Sequence, residues 1–156
     1  MRNRILSLAA LLILAPAVVA AQDTTSSGTA TADAQVEATL ETALDAGIPV
    51  SLLERKIAEG KAKGVSMERI AAAVSARLEA LTSARDAMVD AGLTSTTEGE
   101  LSVAADAVQA GVSQTALTAI SASAPQDRRS VAIAVLADLV AQGRASSQAQ
   151  AAVEAA

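Results

Sequence analysis

The chain of 156 residues contains no cysteine, no histidine and no aromatic residue. Each absence closes a class of chemistry. Without cysteine there is no disulfide, no thiolate nucleophile and no acceptor for a lipoprotein diacyl group, so stability must come from packing. Without histidine the commonest general base and the commonest transition-metal ligand are missing. Without Phe, Tyr and Trp there are no rings for bases or sugars to stack on. Positive charge is also scarce, with 12 Lys and Arg against 17 Asp and Glu and a net charge of −5. That balance lacks the basic footprint nucleic acid requires, so no nucleic-acid partner is expected.

The N-terminal stretch MRNRILSLAALLILAPAVVAAQD places Arg2 and Arg4 before an uncharged apolar run over residues 5–15, then Pro16 and small residues. This is the three-part plan of a secretory signal peptide. The run is short for a bilayer span, which needs about 20 residues, and no Lys or Arg follows it until Arg55. We expect a signal peptide over residues 1–21, cut after Ala20 or Ala21, and Sec-type export to the periplasm or the cell exterior as a protein that is not a lipoprotein. Cleavage removes Arg2 and Arg4, so ten basic residues then face 17 acidic ones and the net charge becomes −7. Residues 22–32 are small, polar and low in complexity and are expected as a disordered linker. Residues 33–156 are expected as a single all-α domain, long enough to bury a core.

Helical spacing begins with Val36, Leu40 and Leu44, four residues apart on one face. Gly47 then ends the helix. Four stretches follow one plan: DAGIPVSLL at 45–53, AKGVSMERI at 62–70, DAGLTSTTE at 90–98 and QAGVSQTAL at 109–117. Each reads glycine, aliphatic, then Pro, Ser or Thr. Gly47, Gly64, Gly92 and Gly111 are placed to close the outgoing helix in the left-handed conformation that glycine adopts without a Cβ clash. Ser66, Thr94 and Ser113 are placed to cap the incoming helix, and the aliphatic between them packs against the residue five further on as a hydrophobic staple. At the first corner Pro49 takes the cap slot, with a competing capping box from Ser51 and Glu54. At the third, Glu98 replaces the staple residue, so this corner is expected to be the loosest.

The stretch EGKAKGVSMERIAAAV at 59–74 also has the look of a phosphate-gripping loop. Its spacing, Gly60 to Gly64 with no Lys-Ser after it and no strand before it, does not fit one. A helix corner explains it better, with Glu59 and Lys63 paired at i, i+4 and Lys61 near the negative helix end.

Corner spacing reveals a duplication. Gly47 to Gly92 spans 45 residues and Gly64 to Gly111 spans 47, giving a short helix and a long helix twice over. The fold class expected is all-α, a small helical array or bundle built from two tandem two-helix units in a solenoid-like arrangement. The first long helix, 67 to about 90, carries Met67, Val74, Leu81 and Met88 seven apart, with Arg77 and Arg85 at the edge of the stripe. The second is split by Pro125, expected at the first turn of a new helix. The run RRSVAIAVLADLVAQG is apolar on more than one side and is expected as a central, nearly surrounded helix. After Gly143, the segment RASSQAQAAVEAA suits a polar terminal cap.

These repeated corners, with KGVSMERIAAAV the clearest case, resemble those of uncharacterised exported bacterial α-helical proteins. The resemblance spans residues 44–142 and implies an exported address and an all-α fold, with no known activity attached.

No catalytic, cofactor or metal site is assigned. The carboxylate pairs Glu98 with Glu100 and Asp86 with Asp90 are too few in oxygen ligands to cage a cation and sit where a helix dipole or a polar face already explains them. Seven basic residues fall between Arg55 and Arg85, interleaved with acids as on a solvated face. The function expected is a non-enzymatic exported module presenting helix faces to a protein partner or to itself. A lipid- or hydrophobic-ligand-contacting protein is the alternative, on the stripes Met67 to Val89 and Val131 to Val140, and a carboxylate-based enzyme is third.

Overall fold

The computed structural model of the chain describes residues 23–156, with side chains from Gly28 onward. The expected signal peptide lies outside the described residues. These form seven helices and no strand: α1 (Asp23–Asp45), α2 (Ser51–Ala62), α3 (Met67–Asp90), α4 (Glu98–Gln109), α5 (Gln114–Ser123), α6 (Arg129–Ala141) and α7 (Ser146–Glu154). Long and short elements alternate, and the tandem units are α2 with α3 and α4 with the broken helix α5–α6. The fold is all-α with tandem helix packing, as the corner spacing predicts.

Each corner glycine has a positive φ, from 65° at Gly64 to 94° at Gly111, and Gly143 adds a fifth at 92°. The paired bonds of a Schellman motif close them: at the first, Gly47 N–H donates to Leu44 O at 2.9 Å and Ile48 N–H to Ala43 O at 2.8 Å. The aliphatics that follow are drawn inward, with Ile48 and Val112 buried beside Leu53 and Leu117. Ser113 Oγ accepts from Ala116 N at 3.3 Å. Ser66 has the extended backbone of an N-cap, but its hydroxyl makes no cap bond.

Thr94 is not a cap. The α4 N-cap is Thr97, whose hydroxyl accepts from Glu100 N at 3.1 Å while its own N–H donates to Glu100 Oε2 at 3.0 Å. This reciprocal capping box satisfies two free amides at once and outcompetes the single bond available to Thr94. The third corner is consequently the longest connection between described helices. At the first corner the Ser51–Glu54 box does not form. Helix α2 starts instead on the carbonyls of Pro49 and Val50, and Ser51 Oγ donates to Glu98 Oε2 at 3.0 Å.

Four further expectations are corrected. Residues 23–32, expected as linker, are the first turns of α1, where Ala32 packs with Val36 against Ala71. The face α1 buries is Ala32, Val36, Thr39 and Ala43, while Leu44 is 65% exposed. The central helix is α3, which packs on α1, α2, α4 and α5. Alanines 71, 80, 84 and 87 let those neighbours approach from several sides. Helix α6 lies at the side and buries only Arg129, Ile133 and Leu136, leaving Val131 64% exposed. Pro125 opens the turn before α6, where Arg128 N–H bonds to its carbonyl, rather than standing in the first helical turn. Helix α7 packs on α5 and α6 through Ala149, fully buried, and Val153.

Candidate functional site

Helix α2 is held differently from every other internal helix. Its good helix formers give it length, but only Leu52 and Leu53 are buried, and among its neighbours it packs closely on α3 alone. That one contact is tight: a Cβ on Gly60 would lie 2.7 Å from Ile70 Cγ1. Gly60 is therefore inside α2, as its sequence position indicates, and is glycine because α3 passes so close. α1 and α4 reach α2 only through a few side chains, Ile57 beside Val36 and Ser51 and Arg55 at Glu98. The helix stands as a ridge with an open groove on each flank.

The groove between α1 and α2 has a volume of about 610 Å³. Its floor is Val36 and Leu40 from α1, Ile57 from α2 and Met67 from α3, with Leu40, Ile57 and Met67 only partly buried around the small cluster Ala32, Val36 and Ala71. Its rims carry exposed Asp33 and Glu37 on α1 and Glu54 on α2, with Lys61 at the end away from the corner. Rotation of 100° per residue sets this arrangement. Glu54, Ile57 and Lys61 project to the α1 side of α2, whereas Leu52, Arg55, Lys56 and Glu59 project to the α4 side.

The second cleft, about 190 Å³, lies between that other face and Ser102, Asp106 and Gln109 of α4, with Arg77 between them. Arg77 is no edge residue. Its guanidinium donates to Asp106 Oδ1 at 2.6 Å, Gln109 Oε1 at 2.9 Å and Ser102 Oγ at 2.9 Å, tying α3 to α4 with the arginine side chain 9% exposed. A buried cation is tolerated only when so surrounded. On the outer face Lys63 Nζ meets Glu59 Oε1 at 2.5 Å, and Lys56 Nζ meets Glu59 Oε2 at 3.2 Å. Lys63 and then Lys56 hold the Glu59 carboxyl below its ordinary pKa.

A second buried arginine anchors the other end of α4. Arg129 Nη1 donates to Glu100 Oε1 at 3.2 Å and Arg129 Nε to Ser121 O at 3.0 Å, with both charged side chains 10% exposed. The Glu100 pKa is lowered, first by the Thr97 backbone N–H, with the Thr97 hydroxyl and Arg129 adding to it against the opposing effect of burial. Arg85 acts likewise at the end of α1, donating to the Ala46 carbonyl.

Of the carboxylate pairs in the sequence, Glu98 and Glu100 point apart, while Asp86 and Asp90 stand one turn apart on the surface of α3. Glu98 turns outward to Ser51 and, at 3.9 Å, Arg55, while Glu100 turns inward to Arg129. Asp86 meets Arg85 at 3.5 Å, and Asp90 is exposed. Among the described residues no three Asp or Glu side chains form a group suited to a metal ion, and no helix is long and apolar enough to cross a membrane. The corner residues are dispersed through the fold and line neither groove. Both grooves were missed from sequence. The signal available for the first was the pairing of Ile57 with Met67 outside the main stripes, and for the second the position of Arg77 midway between Val74 and Leu81. Comparison with protein-family models, curated proteins and solved structures finds no match.

Proposed function

We propose that the protein is a non-enzymatic, exported interaction module whose binding face is the α2 ridge with its two grooves. The observation that carries this reading is that α2 packs extensively only on α3, touching α1 and α4 through a few side chains, so that a lined groove remains open on each flank. An apolar floor framed by a few charged groups is the usual composition of a binding cleft. Glu98 and Glu100 face apart, toward Arg55 and Arg129, so they do not form the paired-carboxylate centre that a two-carboxylate enzyme would need. The lipid-contacting alternative has less support, since most of the Met67 to Val89 stripe faces the core.

A photo-crosslinker placed at the exposed Ala58 beside the groove, with Ala122 of α5 as control, tests the proposal in the producing cells. Discrete adducts at Ala58 and none at Ala122 are expected. Equal labelling at the two positions, or none at either, overturns it.

A further inference from the structure

We infer that the groove between α1 and α2 receives a cationic amphipathic helix. This rests on the reading of α2 as the binding ridge and names the partner for one of its two sides. The groove is defined on α1 by Asp33, Glu37 and Leu40 and on α2 by Glu54, Ile57 and Lys61. Each set spans eight residues, a rise of about 11 Å or two turns, which suits a third helix laid between the two.

The floor is apolar and includes Met67, whose unbranched thioether side chain adapts to varied surfaces. That matches the anchor positions i, i+3 and i+4 of an amphipathic helix in a groove. The rim sets the sign of the guest, because three of its four charged side chains, Asp33, Glu37 and Glu54, are acidic against the single Lys61. Asp33, Glu37 and Glu54 are exposed, and none has an ion-pair partner among the described residues. The outer face of α1 extends the same field, because Asp33, Glu37, Glu41 and Asp45 recur every four residues and α1 contains no Lys or Arg. A helix with leucines on one face and lysines or arginines on its flanks satisfies both floor and rim; an acidic one satisfies only the floor.

Two other surfaces fit a partner less well. In the smaller Arg77 cleft the arginine's charge is already matched by its own acceptors from α4, which leaves less to select a partner. The strip of Val131 and Val135 on α6 is exposed, and nothing in the structure shows what would cover it.

The test uses the purified protein and two designed helical peptides, one of leucine and lysine, the other with glutamate replacing lysine. The Leu–Lys helix is expected to bind and the Leu–Glu helix at least tenfold more weakly. Leu40→Gln with Met67→Gln, polar changes at partly exposed positions, is expected to weaken Leu–Lys binding at least tenfold. Asp33→Asn, Glu37→Gln and Glu54→Gln together are expected to do the same and to flatten its salt dependence. Circular dichroism confirms that each variant is folded. Absence of Leu–Lys binding, equal affinity for the two peptides, or Leu–Lys binding unchanged in the folded groove variants overturns the inference. If the Leu–Glu helix instead binds tightly and loses affinity on Arg55→Gln with Lys56→Gln, this inference fails while the ridge stands as an interaction surface. If neither peptide binds and Ala58 gives no adducts, both fail.

Discussion

Helices α2 and α4 occupy the same place in successive units, have 12 residues each and lie side by side in register, with Ser51 bonded to Glu98 47 positions on. Their fixings differ. α4 is wedged among α3, α5 and α6 and secured at each end by a buried arginine, Arg129 near its start and Arg77 along its second half. α2 rests on α3 through Leu52, Leu53 and the bare backbone of Gly60. Duplication thus supplies two similar elements, and the one with fewer neighbours keeps its flanks available. Polar anchors fix α4 in a single register at a desolvation cost, which a helix meant only to rest on its neighbour does not need.

The difference is open to direct attack, beginning with the strongest anchor. Arg129→Met leaves the Glu100 carboxylate buried without its partner and is expected to cost about 3–5 kcal/mol in urea unfolding. Adding Glu100→Gln, which keeps a side chain able to reach Thr97, should recover much of that loss; a single-variant cost below about 1 kcal/mol would mean the pair anchors nothing. Arg77→Met is expected to cost less, about 2 kcal/mol, because Asp106 is 63% exposed and returns to water. On the α2 side, Gly60→Ala forces Ile70 to move and should cost about 1–2 kcal/mol, the clash outweighing the gain in helix propensity. A stabilised Gly60→Ala protein would show that α2 and α3 are not in close contact. Gly64→Ala should cost about 1 kcal/mol through its positive φ alone, since a Cβ there meets no neighbour.

Acid should also act on α4 through Glu100. Its folded pKa is depressed, so its contribution is complete above the ordinary glutamate value and is lost as pH falls through the folded one. The stability gap between the wild type and Glu100→Gln is expected to narrow as pH falls below the ordinary glutamate value of 4.5. A gap that widens with acid would reverse the sign of the assigned shift.

Much of this fold is legible in the sequence because helix corners are local. Glycine, the aliphatic after it and the cap act within a few residues, so Gly47, Gly64, Gly92 and Gly111 are readable one by one. Thr94 misleads because four Ser and Thr residues stand in a row at 94–97, and only Glu100, three residues after Thr97, selects among them. The placement of α6 is not legible, since uniform apolarity does not say how many neighbours a helix has. The early start of α1 is hidden by small residues, Ala32 and Thr39, that bury well without reading as hydrophobic. The grooves depend on where α2 sits between α1 and α4, which no single stretch of sequence sets.

Hydrogen exchange of backbone amides, measured with and without the Leu–Lys helix, tests the α2 ridge most directly. The account predicts that in the free protein α2 exchanges faster than α4, and that the added helix protects residues 33–40 and 54–61 while leaving α4 and α6 unchanged. Equal protection of α2 and α4 in the free protein, or protection gained at α6 instead, would contradict it.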